Sequence, residues 1–175
     1  MTAAEEQTRR LILFRHAKSD WQFNGLPDFY RPPNARGERD LPKMAARLRE
    51  LAEPPDLLCS SPAARTFATA FGIIDAYQLP DTVVRYDRAL YLASEEGLLD
   101  YIYALPEDCY AALLVGHNPG LADLANRFSP EPINKFPTAA FVILDFACPF
   151  WTELSKTVAT RVAFEYPKKG TPDDY

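Results

Sequence analysis

Leu11-Ile12-Leu13-Phe14 is a run of large apolar residues that stops at a cation and an imidazole, Arg15-His16, then passes into the polar Ala17-Lys18-Ser19-Asp20. A run without polar alternation fits a strand buried on both faces, as in the middle of a parallel sheet. In open α/β sheets ligands bind outside the carboxyl ends of the strands, where Arg15 and His16 emerge. Taken alone, the pair fits a solvated strand end and a satisfied core histidine as well as it fits a site.

Two further runs shift that balance. Pro55-Asp56-Leu57-Leu58-Cys59 leads into Ser60-Ser61-Pro62-Ala63-Ala64-Arg65, and Ala111-Ala112-Leu113-Leu114-Val115-Gly116-His117 is followed by Asn118-Pro119-Gly120. The chain has 2 histidines in all, and both stand at such ends. Three buried strands thus deliver Arg15, His16, Arg65 and His117 to one edge of one sheet.

Between these strands the pattern is helical. Leu41, Met44, Ala45, Leu48 and Leu51 fall at helix spacing until Glu53-Pro54-Pro55 ends the helix. A second helix runs from Pro62, a residue suited to a first turn, to about Ala76 and carries Arg65 near its start. Val83 to Tyr86 is a short strand. Ser94-Glu95-Glu96 opens a third helix through Leu98, Leu99, Ile102 and Leu105. Asn118 as N-cap and Pro119 as first residue open a fourth beside His117. Ala139 to Phe146 and Thr157 to Tyr166 read as strands with more alternation, placed towards one edge and antiparallel. The order strand, helix, strand, helix predicts a three-layer α/β/α sandwich with a mostly parallel central sheet. Residues 1–175 are expected to form a single domain, with 1–8 and 168–175 as flexible tails. From Ala17 to Pro33 the chain is an irregular loop, whose aromatics Trp21, Phe23, Phe29 and Tyr30 either pin it down or wall a pocket.

The totals narrow the function classes. A chain of 175 residues is long enough to bury a core without staples. Its net charge of -5 argues against a broad attraction for nucleic acid, though a local basic pocket for an anionic substrate is compatible with it. Cys59, Cys109 and Cys148 are odd in number, widely spaced and set among apolar residues, which fits a reducing compartment. With no signal-type segment and no long apolar span, the expected setting is the cytoplasm, away from membranes.

Two arginines and two histidines are a sufficient kit for phosphoryl transfer, which needs fixed cations and donors around three oxygens and an in-line nucleophile. Arginine's planar fork donates two parallel bonds and stays charged. Histidine attacks only as neutral imidazole through one nitrogen, while the other is held as an N–H donor. Neither a Gly-x-x-x-x-Gly-Lys-Ser/Thr loop nor a Gly-x-Gly-x-x-Gly turn is present. Cys59 and Arg65 have the spacing of a Cys-x5-Arg phosphatase loop, but Pro62 removes a backbone donor and no glycine eases the turn. This remains a minor rival.

Leu13-Phe14-Arg15-His16-Ala17-Lys18-Ser19 resembles the Arg-His-Gly signature of the histidine phosphatase superfamily, in the Ala-Lys-Ser variant of its small SixA-like phosphohistidine phosphatase branch. Ser60-Ser61-Pro62-Ala63-Ala64-Arg65-Thr66 is similar to the family's Ser-Ser-Pro-x-x-Arg segment. Val115-Gly116-His117-Asn118-Pro119 resembles its second-histidine segment. The matches run in family order over residues 11 to 127. The resemblance implies the phosphoglycerate mutase-like fold, no metal or other cofactor, and a covalent mechanism. In it His16 attacks phosphorus while Arg15, Arg65 and His117 hold the transferred oxygens. Arg31, in a segment resembling the branch's Arg-Pro-Leu, is a candidate substrate contact, with Ser19 and Asn118 beside it. The competing reading of Arg31 is a surface loop arginine.

One departure from the family is informative. Larger members supply a carboxylate that protonates the leaving oxygen, and here Ala89 stands at that place. A missing acid favours a phosphoramidate, such as phosphohistidine in a protein, over a sugar phosphate, because imidazole leaves readily once protonated. Asp20, Asp28, Asp87 and Glu95 are alternative sources of the acid. A phosphatase of small phosphate esters and a non-catalytic phosphate-binding module are the competing expectations.

Overall fold

The computed structural model describes residues 8–22 and 24–171. Phe23, the first seven residues and the last four lie outside the described residues. Six strands, β1 (Thr8–Arg15), β2 (Leu57–Ser60), β3 (Val84–Tyr86), β4 (Ala111–Gly116), β5 (Phe141–Ala147) and β6 (Arg161–Glu165), form one sheet of order β3-β2-β4-β1-β5-β6. β1 to β4 are parallel, and β5 and β6 run antiparallel to their neighbours at one edge.

Side-chain alternation along buried strands explains the layers. Leu11 and Leu13 of β1 face one way, with Leu57, Cys59, Ala112 and Leu114, and meet α3 (Glu95–Tyr103) and α4 (Gly120–Phe128) through Leu98, Ile102, Leu121 and Leu124. Ile12 and Phe14 face the other way, with Leu58, Leu113 and Val115, and meet α1 (Ala35–Leu51) and α2 (Ala64–Tyr77) through Leu41, Leu48, Ala70 and Ile73. Both faces of the sheet are therefore covered, which is why its strands read as unbroken apolar runs. Each fully buried leucine or phenylalanine contributes about 1.5–3 kcal/mol.

Two glycines set how closely the site-bearing segments approach. A Cβ on Gly37 would lie 2.4 Å from the Lys18 carbonyl oxygen, so glycine lets the first turn of α1 press on the chain just after His16. The Asn34 N–H donates to that same carbonyl at 2.8 Å, and the Asn34 side chain caps α1 by accepting from the Gly37 N–H at 2.9 Å. On the other face a Cβ on Gly120 would lie 2.0 Å from the Ala93 carbonyl oxygen, which seats the start of α4 on the segment before α3.

Four expectations need correction. Asn118 does not cap α4: Pro119 is the N-cap, the Asn118–Pro119 peptide is cis, and the Asn118 side chain is committed elsewhere, donating to the Phe136 carbonyl at 3.0 Å. Thr8 belongs to β1 rather than to a tail, because it pairs with Ala147. Lys168 to Thr171 form a turn held by Lys169 Nζ, which donates to the Phe164 carbonyl at 2.6 Å and pairs with Glu165 at 3.0 Å. The last strand is also shorter than expected, since Trp151–Lys156 forms a 3-10 helix and the chain re-enters the sheet only at Arg161.

Candidate active site

Parallel register assembles the site. Arg15 of β1 pairs with Gly116 of β4, so the next residues, His16 and His117, leave the sheet side by side. Their ring centres are 5.2 Å apart. The His16 N–H donates to the Gly116 carbonyl at 3.1 Å, and on β4's other side the Ser61 N–H donates to the Val115 carbonyl at 3.1 Å. Arg65, on the first turn of α2, reaches in above them.

Hydrogen bonds determine which imidazole nitrogens carry protons. His16 Nδ1 lies 2.7 Å from the Ala17 carbonyl oxygen, an acceptor only, so Nδ1 carries the hydrogen and Nε2 keeps a free lone pair. His117 Nδ1 lies 3.2 Å from Arg65 Nη2, a donor only, so this nitrogen accepts. The remaining nitrogen, Nε2, therefore donates to Ser61 Oγ at 2.9 Å. Burial lowers the pKa of His16 to about 4; the Ala17 bond opposes the shift, and Arg65 and Arg15 add to it. Burial, His16 and Arg65 lower that of His117 to about 3. Both rings are neutral at physiological pH.

In the unfolded chain both histidines take up protons below pH 6.5, roughly the ordinary histidine value, whereas the folded protein refuses them until about 4 and 3. Stability therefore rises with pH across that window, is complete above it, and is lost on acidification. Thermal midpoints measured from pH 7 down to pH 4 are expected to fall, with a smaller fall in His16→Gln. A flat wild-type profile would show that the rings bind protons normally.

The cations are held from behind. Arg15 Nη1 donates to the Phe136 carbonyl at 2.7 Å, the same oxygen that receives Asn118 Nδ2. Arg15 Nε, Arg31 Nε, Arg31 Nη1 and Asn118 Oδ1 are buried without a hydrogen-bond partner. Arg31 stacks on Trp21, its guanidinium carbon 3.8 Å from the ring centre, which decides one use of that loop aromatic. Ser19 is buried and bridges Pro33 through the backbone, closing the neck of the loop.

Of the four carboxylates proposed as a substitute acid, the structure brings one to the cluster. Asp20 accepts from the Gln22 N–H, Asp87 caps a 3-10 turn at Ala89, and Glu95 pairs with Arg127. Asp28 instead meets Arg65 Nη2 at 2.9 Å through Oδ2, and the Tyr91 hydroxyl donates to the same oxygen at 2.8 Å. Partial burial raises the Asp28 pKa, but the Tyr91 and Arg65 bonds outweigh this and hold it below the ordinary carboxylate value. Tyr91, edge-on to His117 at 5.4 Å, is a site residue that sequence reasoning missed. Its only signal was proximity to Ala89. The Cys59 rival does not hold: its thiol is buried in the core on the α3/α4 side, and burial raises its pKa.

No family model matches the chain. A curated relative, an uncharacterized chloroplastic protein of Arabidopsis thaliana, is 32% identical over 157 residues, covering 83% of this chain and 70% of that protein. A crystal structure from Agrobacterium tumefaciens, assigned as phosphohistidine phosphatase SixA, is 31% identical and superposes with a TM-score of 0.72 over 78% of this chain and 91% of that one. The chain belongs to the histidine phosphatase superfamily, in its SixA-like branch. A second structure with the same assignment, from Nakamurella multipartitia, shares the fold at a TM-score of 0.77 and 24% identity, over 91% of this chain and 96% of that one. Among the described residues no helix is long and apolar enough to cross a membrane.

Proposed function

We propose that this chain is a metal-independent phosphatase that works through a phosphohistidine on His16 and acts on phosphohistidine in a protein. One observation carries the reading: His16 Nδ1–H is spent on the Ala17 carbonyl, so Nε2 offers its lone pair beside Arg65, Arg15 and His117. In the first step Nε2 attacks phosphorus, a P–N bond forms, and the bond to the leaving group breaks with its electron pair going to that group. In the second, water attacks phosphorus, the P–N bond breaks, the pair returns to Nε2 and water's proton is released. Arg15 and Arg65 offset the charge on the transferred oxygens.

The leaving group is narrowed by what surrounds it. Ala89 has no acidic group, and Asp28 is held ionised by Arg65 and Tyr91, so neither delivers a proton at neutral pH. An imidazole that arrives protonated leaves without help, whereas an alkoxide does not, a difference of about 10²–10⁴-fold where general acid catalysis is lost. Single-turnover reactions with a phosphohistidine-bearing protein, an aryl phosphate and an alkyl phosphate test this. Label on His16 is expected from the first two, with the alkyl ester slower by at least about 10²-fold. A faster alkyl ester would move the substrate to small metabolites, and no label from any would leave a binding module.

A further inference from the structure

The inference deepens the reading of the site just proposed and rests on it. Arg65 Nη2 carries two hydrogens. One goes to Asp28 Oδ2 at 2.9 Å and the other to His117 Nδ1 at 3.2 Å, while Nη1 donates to the Asp28 main-chain carbonyl at 2.7 Å. A phosphoryl group on or approaching His16 Nε2, between rings 5.2 Å apart, needs a donor from Arg65 and one from His117. In this arrangement Nη2 has no hydrogen left, and His117 Nδ1 accepts where it would have to donate.

We propose that Asp28 is an internal competitor for the phosphoryl group. Its carboxylate holds the Arg65 hydrogen that a phosphoryl oxygen takes, and residues 27–31 form a strap that yields when an oxyanion binds. The strap is the part able to move. The Asp28 side chain is 44% exposed while that of Arg65 is 5% exposed, and the 3-10 turn Asp28–Tyr30 has no buried residue. His117, by contrast, is buried at the end of β4. Two anions also cannot share one hydrogen, and a carboxylate beside a phosphoryl dianion repels it.

Release has a proton counterpart. Ser61 Oγ receives His117 Nε2–H at 2.9 Å, and its own hydrogen is free to turn towards that ring. Once Arg65 Nη2 turns to the phosphoryl oxygen, His117 changes tautomer by exchange with solvent: Nε2 gives up its proton, Nδ1 takes one up, and the Ser61 hydroxyl then donates to Nε2, so that Nδ1–H points at the ligand. The strap thereby makes the site selective for oxyanions with enough charge to displace a carboxylate.

Tungstate, a tetrahedral oxyanion similar in size to phosphate, is the probe. Its dissociation constant is to be measured calorimetrically at neutral pH for the wild type, Asp28→Asn and Tyr91→Phe, with melting temperatures alongside. Asp28→Asn keeps an oxygen for Arg65 but removes the charge, and is expected to tighten tungstate binding roughly tenfold, as removal of one like charge near the ligand would. Tyr91→Phe removes the hydroxyl that anchors the Asp28 carboxylate over Arg65, so the strap yields more readily and tungstate binding is expected to tighten by about two- to threefold. Weaker or unchanged binding by a folded Asp28→Asn protein would overturn the proposal, the first outcome making Asp28 a residue that positions Arg65. If that variant does not fold, the sign of the Tyr91→Phe change decides in the same way. No binding by any of the three would remove the reading of the site itself and the strap with it.

Discussion

His16→Ala is expected to abolish turnover, lowering kcat by about 10⁴-fold or more, the scale on which loss of a covalent nucleophile is felt. The acid-labile phosphoenzyme should vanish with it. His16 is the residue for which geometry and electronics agree most closely. Its Nδ1 bond to Ala17 fixes the tautomer, its burial keeps it neutral, and the parallel register sets its ring beside His117. The fold should tolerate the change, because the His16 N–H bond to Gly116 is a main-chain bond that alanine retains. A folded His16→Ala protein that still turns over would place the nucleophile elsewhere, and would remove the covalent mechanism from this site.

Arg65→Ala is expected to lower kcat/KM by about 10³-fold, the lower end of what an arginine that stabilises a transferring phosphoryl group supplies. Arg65→Lys should recover little of this, since a lysine retains the charge without the fork. Arg65 also depresses the proton affinity of both histidines. In the alanine variant both pKa values should rise, and the acid limb of the activity profile should move towards neutrality. A purely structural role would leave that limb in place, so the profile separates the two. Asp28 loses its main partner in this variant, but it is partly exposed and solvent replaces much of what the pair contributes.

Asp28 and Tyr91 show where local pattern stops being informative. Asp28 stands in an irregular loop before Phe29 and Tyr30, and Tyr91 follows a 3-10 turn, 63 residues later in sequence. Nothing in the periodicity of either segment announces that they meet over Arg65. That contact exists because α2 carries Arg65 to the strand ends while the two loops fold over it from β1 and β3. Asn118 illustrates the same limit in reverse. Its residue type favours a helix N-cap, but the Phe136 carbonyl, 18 residues downstream, takes its amide instead.

What the sequence by itself determined was the sheet and the four groups at its edge. Runs such as Leu11 to Phe14 have no polar side to expose, so they must lie in the middle of a covered sheet, and whatever ends them must emerge at its carboxyl edge. Arg15, His16 and His117 follow from that constraint, and Arg65 from the helix start that comes directly after the β2 run. Only the tertiary structure decided how protons and charges are distributed among them. Tautomers, ionisation and the hold of Asp28 on Arg65 depend on atoms within about 3 Å of one another, and separations of that size between distant segments are set by packing rather than by local pattern.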